Sequence, residues 1–82
     1  MTEVTLYSRP GCHLCDEARA TLARLLEEGD RFELTEVDID SDDRLLREML
    51  ERIPVIEIDG VVASELVPDE SALRSRLASV GA

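Results

Sequence analysis

Cys12-His13-Leu14-Cys15 holds both cysteines and the one histidine of the 82-residue chain. Thiols three positions apart at the start of a helix project from nearly the same side, with Cβ atoms about 5–6 Å apart. A small adjustment brings them into the range of about 3.5–4.5 Å that a disulfide requires, so the pair can open and close. Cys12 falls where the first backbone N–H groups of a helix lack intrahelical acceptors, and those groups together with the helix dipole favour its thiolate. It is therefore the expected nucleophile. Comparable cysteines have pKa values of about 3.5–7, against about 8.5 for a free thiol. Cys15, one turn further in, is less accessible and suits the resolving role, attacking a mixed disulfide formed on Cys12 and releasing the product.

The neighbours act in both directions. Arg9 favours the thiolate, whereas Asp16, four residues beyond Cys12, opposes it if the two side chains face each other. His13 as imidazolium would stabilise the thiolate, although a helix N-terminus disfavours its protonation. Arg9 and His13 are thus the expected thiol-tuning residues. Cys-x-x-Cys is also half of a zinc site, but a structural zinc takes four ligands and this chain supplies two thiolates and one awkwardly placed imidazole. No metal site is expected within one chain. Two chains sharing a metal ion or an iron–sulfur cluster through paired thiolates is the alternative reading. A redox-inactive interaction domain is a third.

The flanking periodicities position the pair. Glu3–Tyr7 reads as a strand, Pro10-Gly11 as a bend, and Cys12–Glu28 as an amphipathic helix whose apolar stripe is Leu14, Ala18, Leu22, Leu25 and Leu26. Gly29 stands where a C-terminal cap is wanted. Phe32–Ile39 reads as a second strand whose apolar residues change phase, predicting a bulge or an end near Val37. Asp40, Ser41 and Asp42 supply capping oxygens for a helix over Asp43–Glu51 with Leu45, Leu46, Met49 and Leu50 on its inner face. Val55–Ile58, the Asp59-Gly60 turn and Val61–Ala63 form a hairpin, so these strands are antiparallel. Pro68-Asp69-Glu70 opens a last helix with Leu73, Leu77 and Val80 inward. A right-handed crossover makes the first two strands parallel, so the fold class is α/β with one mixed sheet.

Length and composition bound the rest. Residues 1–82 read as a single domain with one modest core, since chains of this size bury only about 60–65 % of their unfolded surface. Tyr7 and Phe32 are the only aromatics, so that core is aliphatic. Nineteen acids against nine arginines give a formal net charge of −10, which disfavours phosphate-contact binding to nucleic acid or anionic membranes. The charge serves solubility and, more weakly, suggests a protein partner with a basic docking surface. Met1-Thr2-Glu3-Val4 lacks the basic start and apolar run of a signal peptide, and no stretch of about 18 apolar residues occurs. A cytoplasmic location is expected, where a lone cysteine pair is more often catalytic or metal-binding than a structural staple.

The motif between strand and helix, Ile53-Pro54-Val55 before a later strand, and the Asp59-Gly60 turn together make the chain resemble glutaredoxin-like members of the thioredoxin fold over nearly its whole length. The resemblance implies the order β-α-β-α-β-β-α with a four-stranded mixed sheet and three helices. It implies Cys12 as the attacking cysteine, Cys15 as the resolving one, and Arg9 in the place of a basic residue common in glutaredoxins. A proline alone does not indicate a cis bond, as only about 5–6 % of X-Pro bonds are cis. The resemblance implies that Pro54 is cis and faces the cysteines, with Ile53 offering backbone groups to a bound peptide or glutathione. Two departures concern substrate. Val61–Leu66 lacks the Gly-Gly pair that permits close backbone approach of glutathione, and His13-Leu14 replaces the usual Pro-Tyr.

The expected activity is that of a small dithiol–disulfide oxidoreductase with a redox-active Cys12–Cys15 disulfide. No tightly bound cofactor is expected, glutathione is a candidate reductant, and the expected partners are a disulfide-containing protein, or glutathione and a reductase. A monomer is expected, and the net charge of −10 argues against a nucleic-acid or membrane partner.

Overall fold

The computed structural model describes residues 2–80, the side chain of Val80 excepted. The elements run β1 (Glu3–Ser8), α1 (His13–Glu27), β2 (Glu33–Asp38), a 3-10 turn (Ile39–Ser41), α2 (Asp43–Met49), β3 (Val55–Ile58), β4 (Val61–Glu65) and α3 (Glu70–Val80). They build one four-stranded sheet in the order β2-β1-β3-β4. β1 pairs with β2 in parallel from Glu3↔Glu33 to Ser8↔Asp38 and with β3 antiparallel, and β3 pairs antiparallel with β4. The fold is a mixed α/β architecture with three helices, as expected.

Strand alternation sorts the apolar residues onto two faces of the sheet. Val4 and Leu6 of β1 and Ile56 and Ile58 of β3 pack with Ala18, Leu22 and Leu25 of α1, Phe32, and Leu73 and Leu77 of α3. The opposite phase carries Tyr7 and Val55, which meet Ile39, Met49, Ile53 and Cys15, with Leu45 and Leu46 of α2 alongside. The larger cluster is therefore the structural core, and the smaller one is the wall behind the cysteines.

Several expectations shift in detail. The inner face of α1 is Cys15, Ala18, Thr21, Leu22 and Leu25, while Leu26 is exposed and Leu14 only half-buried. The stripe is rotated because the first buried position belongs to a cysteine. β2 ends at Asp38, and its register with β1 is unbroken. The phase change falls inside the regular strand, because Leu34, level with Val4, packs on the larger cluster while Val37, level with Tyr7, lies on the opposite face; the strand ends close to Val37, as expected, and the 3-10 turn that follows carries Ile39 into the smaller cluster. The one irregular register is in the hairpin: Ile56↔Ser64 is followed by Glu57↔Val62, leaving Ala63 as an extra residue in β4. α2 stops at Met49, sooner than expected, with Leu50 as its exposed C-cap. Pro68 precedes α3 and Asp69 caps it, accepting from Ala72 N–H at 3.0 Å. Leu73 and Leu77 are buried, and Val80, expected on the same face, has its side chain outside the described residues.

Candidate functional site

The turn between β1 and α1 fixes the cysteine pair. Gly11 adopts φ +79, a left-handed conformation that costs residues with a Cβ about 1–2 kcal/mol. It lets the chain reverse so that Cys12 N–H donates to Arg9 O at 3.3 Å. Cys12 then stands as the N-cap of α1 with extended backbone angles. Its sulfur takes the place of the usual capping oxygen and accepts from the N–H of Cys15 at 3.1 Å. Cys12 and Cys15 form a disulfide with Cα atoms 5.2 Å apart.

The two sulfurs differ in surroundings. Cys15 is 0 % exposed, enclosed by Ile39, Met49, Ile53 and Val55, whereas Cys12 is half-buried at the edge of the same cluster. The Ile53–Pro54 peptide is cis and Pro54 is buried. Ile53 N–H is already committed, donating to Met49 O at 3.0 Å. That N–H is therefore not free for a substrate contact.

The charged neighbours are less free than the sequence suggests. Arg9 Nε lies 3.2 Å from Asp40 Oδ1, so its charge is shared with a carboxylate from the 3-10 turn. The side chain of His13 is 87 % exposed, with Nε2 3.6 Å from Glu17 Oε1. Asp16 is drawn to Arg19, whose Nη1 lies 2.8 Å from its Oδ1. Among the described residues no group of three or more His, Cys, Asp or Glu side chains is arranged to hold a metal ion.

A polar network beside the pair was not legible in the sequence. Ser8, 3 % exposed at the end of β1, donates to Glu36 Oε2 at 2.8 Å, and Arg19 Nε donates to Glu36 Oε1 at 2.7 Å. The Arg19 guanidinium holds the Glu36 carboxyl below the usual range, burial opposes it more weakly, and the Ser8 hydroxyl adds to the lowering. Arg19 is correspondingly raised. With Arg9, Asp16 and Asp38 these residues line a hollow of about 210 Å³ on the β2 side of the motif. The available signal was the parallel β1–β2 pairing, which brings the two strands' C-terminal ends together. On the other face Tyr7 Oη donates to Glu57 Oε1 at 3.3 Å, and burial followed by the Glu57 charge pushes the phenol up.

A disulfide between a half-buried N-cap cysteine and a fully buried one a turn later, with a cis-proline segment packed against the pair, is a specific constellation on this fold. The sequence profile described as Glutaredoxin-like domain (DUF836) matches residues 3–78. The chain belongs to the glutaredoxin-like family. Among solved structures, this glutaredoxin-like chain is similar to a protein from Nitrosomonas europaea, at 30 % identity and TM-score 0.77, covering 92 % of this chain and 89 % of that one. A structural-genomics target protein from X. campestris gives 33 % identity, TM-score 0.74, and coverage of 93 % and 96 %. Glutaredoxin from Brucella melitensis gives 33 % identity, TM-score 0.64, and coverage of 98 % and 88 %. No curated protein sequence matches it significantly.

The stretch that departs from glutaredoxins has its own structure here. The extra residue Ala63 shifts the hairpin so that Glu65 lies opposite Val55. Glu65 Oε1 then lies 3.0 Å from Arg52 Nε, next to the cis-proline segment. Leu66 follows with φ +61, and its N–H donates to the carbonyls of Arg52 at 3.1 Å and Pro54 at 3.0 Å.

Proposed function

We propose that this protein is a thiol–disulfide oxidoreductase that reduces a substrate disulfide through Cys12 and Cys15 by a dithiol mechanism. The observation that carries the reading is the asymmetry of the pair. One sulfur is half-exposed, capped by a backbone N–H at 3.1 Å, and bonded to a sulfur that is wholly buried. A helix N-terminus and a directed N–H both favour a thiolate at Cys12 over a thiol.

In the reduced protein the Cys12 thiolate attacks one sulfur of the substrate disulfide. A Cys12–substrate disulfide forms, the substrate bond breaks, and the first substrate thiolate leaves and takes a proton. Cys15 then loses its proton and attacks Cys12 Sγ, forming the intramolecular disulfide and releasing the second substrate thiolate, which is protonated in turn. Two electrons have passed from the dithiol to the substrate, and of the two protons that the product thiols take up, one corresponds to the proton lost by Cys15 and the other comes from solvent. Ile53 supplies a carbonyl to the bound substrate backbone, and Pro54 keeps that segment against the cysteines. Arg9 and His13 tune the thiolate by their charge. A thiol reductant, glutathione or a reductase-coupled dithiol, restores the pair, and the reaction belongs to a reducing compartment such as the cytoplasm, where it would serve redox homeostasis.

The test is a peptide-disulfide reduction assay on Cys12→Ser and Cys15→Ser proteins, followed by mass spectrometry of quenched reactions. The first variant should lose turnover while its circular dichroism stays native. The second should accumulate a covalent adduct of substrate on Cys12. Full activity of Cys12→Ser would falsify the assignment.

A further inference from the structure

Three arginines surround the disulfide, two in flanking loops and one on α1, and each is already matched with a carboxylate. Arg9, three residues before Cys12, lies 3.2 Å from Asp40. Arg52, two residues before Pro54, is met by both oxygens of Glu65, at 3.0 and 3.4 Å. Arg19, one turn beyond Cys15, is shared between Asp16 and Glu36. Arg44 and Arg47 are exposed on α2, off the face that packs against the cysteine cluster. The cationic groups that a small anionic disulfide would need are thus neutralised at the rim of the site, and the chain as a whole carries −10.

Glu65 holds its place by construction. The bulge at Ala63 sets it opposite Val55, and the next residue, Leu66, is tied by its N–H to the carbonyls of Arg52 and Pro54. Leu66 keeps φ +61, a conformation that a leucine rarely adopts. The Glu65–Leu66 segment is therefore fastened to the cis-proline segment, where a substrate backbone would lie, and it carries a carboxylate there, on Arg52.

We infer that the site selects protein disulfides flanked by Lys or Arg and disfavours anionic thiol compounds, with Glu65 as a specificity-determining residue. The inference rests on the oxidoreductase reading and uses the same step: the dithiol gives two electrons to the substrate disulfide and becomes the Cys12–Cys15 disulfide. Complementary charge raises the encounter rate of such partners, and like charge lowers it.

The experiment measures second-order rates of the reduced 82-residue chain with three synthetic peptide disulfides of equal length, flanked by Arg, Gln or Glu, and with oxidised glutathione. At low salt the Arg peptide should react about tenfold faster than the Glu peptide, and high salt should close the gap. Glu65→Gln should shrink that ratio about threefold, a change of the size that one exposed ion pair supports. Equal rates for the Arg and Glu peptides, or a faster reaction with the Glu peptide or oxidised glutathione, overturn the charge selection while leaving the oxidoreductase reading intact. A ratio that Glu65→Gln leaves unchanged removes Glu65 from it. Failure to reduce even the Gln peptide overturns the oxidoreductase reading, and this inference with it.

Discussion

At the scale of single residues, the pair is held by atoms that a motif search does not see. Cys12 is recognisable from its spacing, but the capping bond from Cys15 N–H and the contrast in burial come from the backbone and the smaller cluster. Glu36 shows how a residue with no motif acquires a task, since it pairs with Arg19 and accepts from the buried Ser8 hydroxyl. Its carboxyl is held below the ordinary range, chiefly by Arg19. A group with a depressed folded-state pKa stabilises the fold above its unfolded pKa, about 4.3 for Glu, and that contribution is lost as pH falls through the lower folded value. Glu36→Gln should therefore lower stability at neutral pH by about 0.5–1 kcal/mol, as solvent-screened pairs do, and flatten the acid limb of the stability profile. Urea melts of both proteins at neutral pH and at pH values below about 4 check this. A variant that loses stability in parallel with the parent on acidification contradicts the role given to Glu36.

At the scale of elements, most of the succession was legible because periodicity and turn chemistry agree. The Asp59-Gly60 turn takes φ +51 and +83, the left-handed pair that a two-residue hairpin demands. A Cβ at Gly60 meets nothing within 4 Å, so Gly60→Ala tests backbone strain alone. It should cost about 1 kcal/mol, read as a lower urea midpoint with an unchanged slope. What the sequence did not disclose is the Ala63 bulge. A strict two-residue hairpin register would put Ser64 opposite Val55, and one inserted residue exchanges it for Glu65, creating the Arg52–Glu65 pair. Such an insertion depends on how β4 twists against its neighbours, which no local pattern encodes. The inner face of α1 departs from its leucine stripe for a related reason: a cysteine reserved for chemistry is also the first core residue of the helix.

At the scale of the whole molecule, the sheet separates what stabilises the fold from what surrounds the chemistry. Leu22 sits in the larger cluster between sheet, α1 and α3, and Ile39 sits in the smaller one with Cys15. Both are 0 % exposed, so replacing either with alanine should cost about 2–5 kcal/mol. Stability alone does not distinguish them. The Cys12–Cys15 reduction potential should, because the free energy of opening the disulfide depends on how its buried sulfur is packed and solvated in each state. Leu22→Ala leaves those surroundings in place and should leave the potential unchanged in whatever fraction stays folded. Ile39→Ala opens space beside Cys15, which admits water or lets the thiol relax, and should move the potential by about 10–30 mV, about 30 mV corresponding to 1.4 kcal/mol in a two-electron couple. Equilibration of each folded variant against a thiol buffer, followed by alkylation and mass spectrometry, reads the potential directly. Equal shifts in the two variants would mean that the clusters are coupled through the sheet, and that the smaller one is not a separate redox environment.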